Sequence, residues 1–283
     1  MRKLLYLIMI TVFLSGSLTM AGRLENVTEK IDAQGIEKLV VEADFAAGEF
    51  RINAADIDEA AIIDVTYDTR RVEYIADYSV KRGTGYLFLE SNIRRKYDID
   101  TDENVWDITL STKYPTSLEF DIGACEAEFD LGGIPLQELD LDIGAASGLI
   151  EFSTPNPIRL RDMRIDAGAS SLKMVSIGNA NFEYFNFDGG VGSFELDFRG
   201  EYKGESTINV DIGLGSVDIV LPKDIPVRVE TDGDSWLSSV EFHRDNLDEV
   251  DDDVYESPGF EDADERIILE LSVGLGSADI YFK

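Results

Sequence analysis

Apolar and polar positions alternate along most of this chain, and the alternation comes in blocks. Each block reads apolar-x-apolar-Asp-apolar-Gly, then two or three small residues, then apolar-x-apolar. Seven blocks centre on Asp44, Asp121, Asp142, Asp166, Asp188, Asp211 and Ser272, and the middle five lie 21 to 24 residues apart. Taking the Asp as position zero, positions −3, −1 and +1 are apolar, as in Leu118, Phe120, Ile122 and in Ile208, Val210, Ile212. A period of two predicts a strand with one buried face. Positions +6 and +8 form a second inward pair (Ala127, Phe129; Leu172, Met174; Phe194, Leu196; Val217, Ile219) and predict a second strand. Between them, position +2 is Gly123, Gly144, Gly168, Gly190, Gly213 or Gly274, with Ala46 the exception. A glycine at one fixed corner argues for positive φ or for a bend too tight for a Cβ.

A repeat of this length marks units that stack to bury a shared core. The predicted fold class is all-β: a β-solenoid of about 22-residue coils, with two stacked parallel sheets and an N-terminal β cap. An antiparallel β-sandwich of hairpins is the alternative, since a meander shares the alternation. The predicted organisation is a signal peptide over 1–21, a cap region with the first repeat over 22–116, and the solenoid over 117–283. Strands such as Ala60 to Tyr67, Gly85 to Glu90 and Val105 to Ser111 belong to the cap. A charged connection (Arg94, Arg95, Lys96; Asp98, Asp100, Asp102, Glu103) runs between the last two. Residues 225–242 read as a degenerate coil. Residues 243–266 carry 11 acids among 24 residues and read as a loop or mobile excursion. The chain ends inside a strand, Ala278 to Phe282, which should tie the C-terminus into the sheet.

The N-terminus changes the picture of where this solenoid works. Arg2 and Lys3 precede a short apolar run, Leu4 to Leu14, and a small, polar stretch ends in a cleavage position after Ala21. Export to the periplasm or cell surface is expected, with no stable membrane span after cleavage. An uncleaved anchor competes with that reading, although the run is short for a span of about 20 residues. Cys125 is the only cysteine, so an internal disulfide is excluded. It falls in a column otherwise filled by Gly48, Ala146, Ser170, Gly192, Gly215 and Gly276, where a packed small residue is expected. Fifty-seven acids against 25 bases give a formal charge of −32, which repels phosphate backbones and excludes nucleic acid as a partner.

Several stretches together resemble a known family: Gly133 to Ile143 with Gly144-Ala145, Asp166 to Leu172, Gly178-Asn-Ala-Asn181, Asp188 to Phe194, and Val273 to Ala278. They resemble the bacterial cell-envelope "toast-rack" proteins, related to the C-terminal domain of LiaF-type cell-wall-active antibiotic response proteins. The similarity runs from about residue 36 to the end. It implies a β-solenoid-like fold, export or membrane tethering, a link to envelope stress, and no assigned enzymatic activity. LiaF-type members carry transmembrane helices, whereas this chain has a leader instead.

The candidate chemistry centres on the Asp column. Coils stacked at about 4.8 Å would align Asp121, Asp142, Asp166, Asp188 and Asp211 in an outward ladder. Neighbouring unit charges at that spacing repel by about 0.9 kcal/mol even in bulk water. Calcium ions bridging the carboxylates would offset this. The local alternative is that each Asp accepts hydrogen bonds from backbone N–H groups at the glycine corner. No other cofactor is implied. Gly213-Leu-Gly-Ser-Val-Asp218 departs from calcium-binding nonapeptide spacing by one residue, and Asp251, Asp252 and Asp253 lack the alternating spacing of an EF-hand loop. His243 is the only histidine and reads as a surface residue, which leaves Ser–His–Asp and Cys–His nucleophilic systems without their parts. The expected function is therefore a non-enzymatic envelope scaffold or binding protein. Its partner would be an envelope protein or a cell-wall component. A calcium-dependent adhesin-like surface protein is the alternative. A polysaccharide-active enzyme is the third reading, and it requires a cleft with a carboxylate pair and a basic residue.

Overall fold

The structure, a computed structural model, describes residues 24–94, 104–232, 238–243 and 247–283. The expected leader and all but Arg94 of the charged connection lie outside the described residues. So do 233–237 of the degenerate coil and 244–246 of the acidic stretch. The first strands are β1 (Leu24–Ile31), β2 (Lys38–Ala55), β3 (Ala61–Asp68), β4 (Val72–Lys81), β5 (Thr84–Ile93) and β6 (Asn104–Ser111). The repeats follow as β7 (Thr116–Asp130), β8 (Leu136–Glu151), β9 (Leu160–Val175), β10 (Phe182–Asp197) and β11 (Glu205–Leu221). The chain closes with β12 (Val227–Thr231), β13 (Ser238–His243), β14 (Asp248–Asp251), β15 (Val254–Glu256) and β16 (Arg266–Phe282). All belong to one hydrogen-bonded sheet, and no described helix is long and apolar enough to cross a membrane.

Each repeat is one long strand that folds over on itself. In β7 the inward residues are even-numbered up to Ile122; Gly123 and Ala124 are then both exposed, and the inward residues become odd-numbered from Cys125. An extended strand would separate Phe120 and Phe129 by roughly 30 Å, yet their ring centroids lie 6.4 Å apart, edge to face. Phe187 and Phe194 meet in the same way at 5.1 Å, and Phe45 stacks on Phe50 at 4.2 Å. The two expected parallel sheets are thus the two halves of a single sheet bent along the glycine column. β7 to β11 pair in parallel, with Asp121, Asp142, Asp166, Asp188 and Asp211 in direct register. The sandwich of antiparallel hairpins is excluded for this region.

Of the two reasons offered for the corner glycines, the close approach holds. A Cβ on Gly144 would lie 2.6 Å from the carbonyl oxygen of Gly123, and one on Gly168 would lie 2.5 Å from that of Gly144. The same contact recurs up the column, because adjacent coils meet there backbone to backbone. None of these position +2 glycines has positive φ. Ala46 keeps its methyl because the strands flanking it on the outer side stop short. β5 pairs with β2 only up to Phe45, and β6 resumes at Glu49.

Both ends of the stack depart from sequence order in the same way. β5 and β6 pair in parallel with the two halves of β2 and together make a split coil outside it. Antiparallel β4 then covers β5, while β3 and β1 continue from β6. At the other end β12 and β13 form the second split coil, lying against the two halves of β16. The degenerate coil is therefore a real one, but the C-terminal strand is inserted between it and β11. The acidic stretch is not a loose excursion. It forms the hairpin β14–β15, whose second strand pairs antiparallel with β12. Phe260 anchors it: its buried ring is flanked by the guanidinium groups of Arg228 at 4.5 Å and Arg266 at 5.2 Å. Arg228 also bonds Glu256 and Glu261, so β12 supplies a counter-charge to two acids of this stretch.

Returns between coils are short and tied by amides. Buried Asn156 donates to the carbonyls of Leu136 and Ala180, and Asn179 donates to that of Phe152. The core is one continuous apolar column, with aromatic clusters around Phe45, Phe50, Trp106 and Phe120 and around Phe182, Phe185, Phe187 and Phe198. Cys125 is buried in it, and burial, followed by the charge of Glu126, pushes its thiol up to about 12. It is a packing residue with no thiolate to offer.

Candidate functional site

The register turns position zero into a column of seven successive carboxylates. Glu90 lies opposite Asp44, Asp44 opposite Asp121, and the line runs on through Asp211 to end at Ser272. All the ladder aspartates are exposed except Asp166, which is half-buried. Among the described residues, Asp166 is the one ladder aspartate with a side-chain hydrogen bond, taken from Arg164 at 2.7 and 3.1 Å. The turn-type bonds expected here occur elsewhere. Asp130 accepts from the N–H of Gly132, and Asp197 from that of Arg199, both at the start of a return. The ladder's repulsion is therefore not relieved by the corner backbone. Nor does a straight column gather a cage: a cation between two rungs reaches two carboxylates, and the next lies about another 4.8 Å away.

The column becomes a groove near the C-terminal end. Its floor carries Asp166, Asp188 and Asp211, with Asn186 and Asn209 beside them, joined amide to amide at 2.8 Å. Glu270 of β16 and Glu230 of β12 continue the row next to the floor. Asp232 arrives at the end of β12, its N–H bonded to Leu271, beside the position where the ladder changes to Ser272. The turn of β14–β15 supplies Asp252 and Asp253 as the far wall, held by the N–H of Thr231 on the carbonyl of Asp253. The cavity measures about 700 Å³ and is lined by these eight carboxylates and a single guanidinium, Arg164. Partial burial, then the charges of Asp188 and Asp232, raise the Asp211 carboxyl above its ordinary range. Asp166, followed by Asp140 and Asp142, holds the charge of Arg164 in place.

A concave acidic face is what the sequence could not show. Asp166, Asp188 and Asp211 of the predicted ladder enter the groove; Asp121 and Asp142 do not. The other five acids come from β16, from the split coil and from the hairpin, which are distant in sequence. The lining offers one aromatic residue, Phe187, and its ring is buried in the core. A sugar-stacking surface is thus not built here. On the opposite half of the sheet, His243 lies beside Asp279 and Glu241. Among the described residues this is the one place where three His, Cys, Asp or Glu ligand atoms come within 4.8 Å of one another.

Residues 20–157 match the N-terminal domain of toast-rack, and residues 173–280 match the C-terminal domain of LiaF of the cell wall-active antibiotics response. The chain belongs to this toast-rack and LiaF-like family. Among solved structures, a candidate cell adhesion protein from Clostridium sporogenes ATCC 15579 is 17% identical, with a TM-score of 0.49, over 92% of this chain and 100% of its own. A candidate adhesin from Bacteroides fragilis NCTC 9343 is 12% identical (TM-score 0.37), over 92% of this chain and 98% of its own. One from Parabacteroides merdae ATCC 43184 is 13% identical (TM-score 0.35), over 92% and 96%. No curated protein matches the chain.

Proposed function

We propose that this protein is an exported, non-enzymatic binding module of the cell envelope whose acidic groove receives a cationic ligand. The ligand class is a basic segment of an envelope protein or an amine-bearing cell-wall component. The observation that carries the reading is the groove itself: eight carboxylates around about 700 Å³, with one guanidinium to balance them. A concave, low-dielectric wall of one sign focuses the field and raises the local concentration of a partner of opposite charge. The leader at 1–21 supports export, and the family description supports a role near the cell wall. The lining contains no histidine, cysteine or lysine, so Ser–His and Cys–His nucleophile–base pairs have no counterpart there. Carboxylate pairs beside Arg164 are present, but without an exposed aromatic ring for a sugar to stack on.

The test uses fluorescein-labelled octalysine as the probe and two triple variants with the same change of charge. D188N/D211N/D232N removes groove acids; D44N/D121N/D142N removes acids of the same ladder outside the groove. The groove variant should bind the probe about tenfold or more weakly, equivalent to about 1.4 kcal/mol, and the second variant should match the parent chain. Equal losses in both would reduce the groove to general polyanion attraction and sink the reading. Export is checked separately by the N-terminal residue of secreted material, expected to be Gly22.

A further inference from the structure

We propose that Glu241, His243 and Asp279 form a site for one divalent transition-metal ion, such as Zn2+, bridging β13 to β16. The register brings them together. Glu241 lies directly opposite Asp279, and His243 opposite Tyr281, so all four side chains share the outer face of the second half-sheet. The imidazole is held in orientation. Its ring lies parallel to that of Tyr281, with centroids 4.4 Å apart and planes 5° apart, and Nε2 points at Asp279 Oδ1 from 2.8 Å. The three ligand atoms lie within 4.8 Å of one another. Ligation at about 2.0–2.2 Å needs neighbouring donors roughly 3.3 Å apart, which the exposed Glu241 and His243 side chains can reach by small rotations.

The surrounding charge points the same way. Asp218 is next in the row, opposite Asp279, so three carboxylates lie abreast at strand spacing. Lys283 lies over the Tyr281 ring, 5.0 Å from its centroid. An imidazole with two carboxylates suits zinc, copper or nickel, whereas calcium and magnesium take oxygen ligands alone. This sets the site apart from the ladder and from the groove. The bound ion has a structural consequence. Among the described residues β13 pairs with β16 alone. A metal across the pair would pin this edge strand.

The experiment titrates the full chain with Zn2+ against a chromophoric chelator in 0.15 M NaCl, which screens the diffuse attraction of the carboxylate background. The parent chain should take up one equivalent, and H243Q should lose about tenfold or more in zinc affinity. Because His243 is the only histidine, Cu2+ bound to the parent should show one nitrogen coupling by electron paramagnetic resonance, and H243Q none. Unchanged melting of metal-free H243Q would confirm that its fold is intact. Equal zinc affinity in parent and variant, no stoichiometric uptake by the parent, or a copper spectrum without nitrogen would each overturn the site. Octalysine binding by H243Q should be unchanged, which separates this inference from the groove.

Discussion

Single atoms decide how these coils can stack. The Gly168 position illustrates this, because the missing Cβ would sit 2.5 Å from a backbone oxygen that cannot rotate away. Gly168→Ala should cost about 1–3 kcal/mol in urea unfolding, while Ala46→Gly, at a position whose outer side no strand covers, should cost no more than about 1 kcal/mol. Asp211 gives the opposite sign. Its folded carboxyl titrates above the ordinary range because of burial, Asp188 and Asp232. The folded state therefore holds its proton more tightly than the unfolded chain. That contribution is fully present below the unfolded value and is lost as pH rises through the folded one. At neutral pH the ionised group is a net burden. The carboxylate is exposed and screened by solvent, so Asp211→Asn should gain no more than about 0.5 kcal/mol at pH 7, and the gain should shrink towards zero in melts taken below the ordinary carboxylate range.

At the scale of elements, the C-terminal strand is the least expected and the most consequential. β16 is hydrogen-bonded on both edges, to β11 on one side and to β12 and β13 on the other. Its amides should exchange only on global unfolding, whereas those of β14, whose four residues are all exposed, should exchange first. Hydrogen exchange read by mass spectrometry checks both, and rapid exchange across Leu269–Ile280 would show that the strand is not inserted. The alternation in this strand was readable, and so was its phase, since Ser272 occupies the Asp column. Its place in the stack was not. Local periodicity reports which face is buried and says nothing about which neighbour covers the edge. The same limit hid the split coil made by β5 and β6, whose halves are separated in sequence. The hairpin β14–β15 was missed for another reason: its residues are exposed or half-buried, so no apolar alternation marks them. Val250 and Val254, bracketing three aspartates, were the available signal.

For the whole molecule, the question is what balances a formal charge of −32 organised into columns. The ladder was legible because identical register repeats an identical residue. The groove was not, because it needs the ladder, the split coil and the hairpin to converge. That convergence concentrates acids at one end of the stack, so self-repulsion should dominate the salt response. Raising NaCl from low to about 0.5 M shortens the screening length to a few ångströms, comparable with the rung spacing, and should raise the melting temperature by several degrees. Calcium at matched ionic strength tests something different. It takes six to eight oxygens, while the straight ladder presents two carboxylates between successive rungs. Calcium should therefore add no more than a degree or two beyond the sodium effect. A calcium-specific rise of several degrees, removed by EDTA and absent in D121N/D142N/D166N, would instead make the ladder a cation site. The adhesin-like reading would then replace the plain binding module.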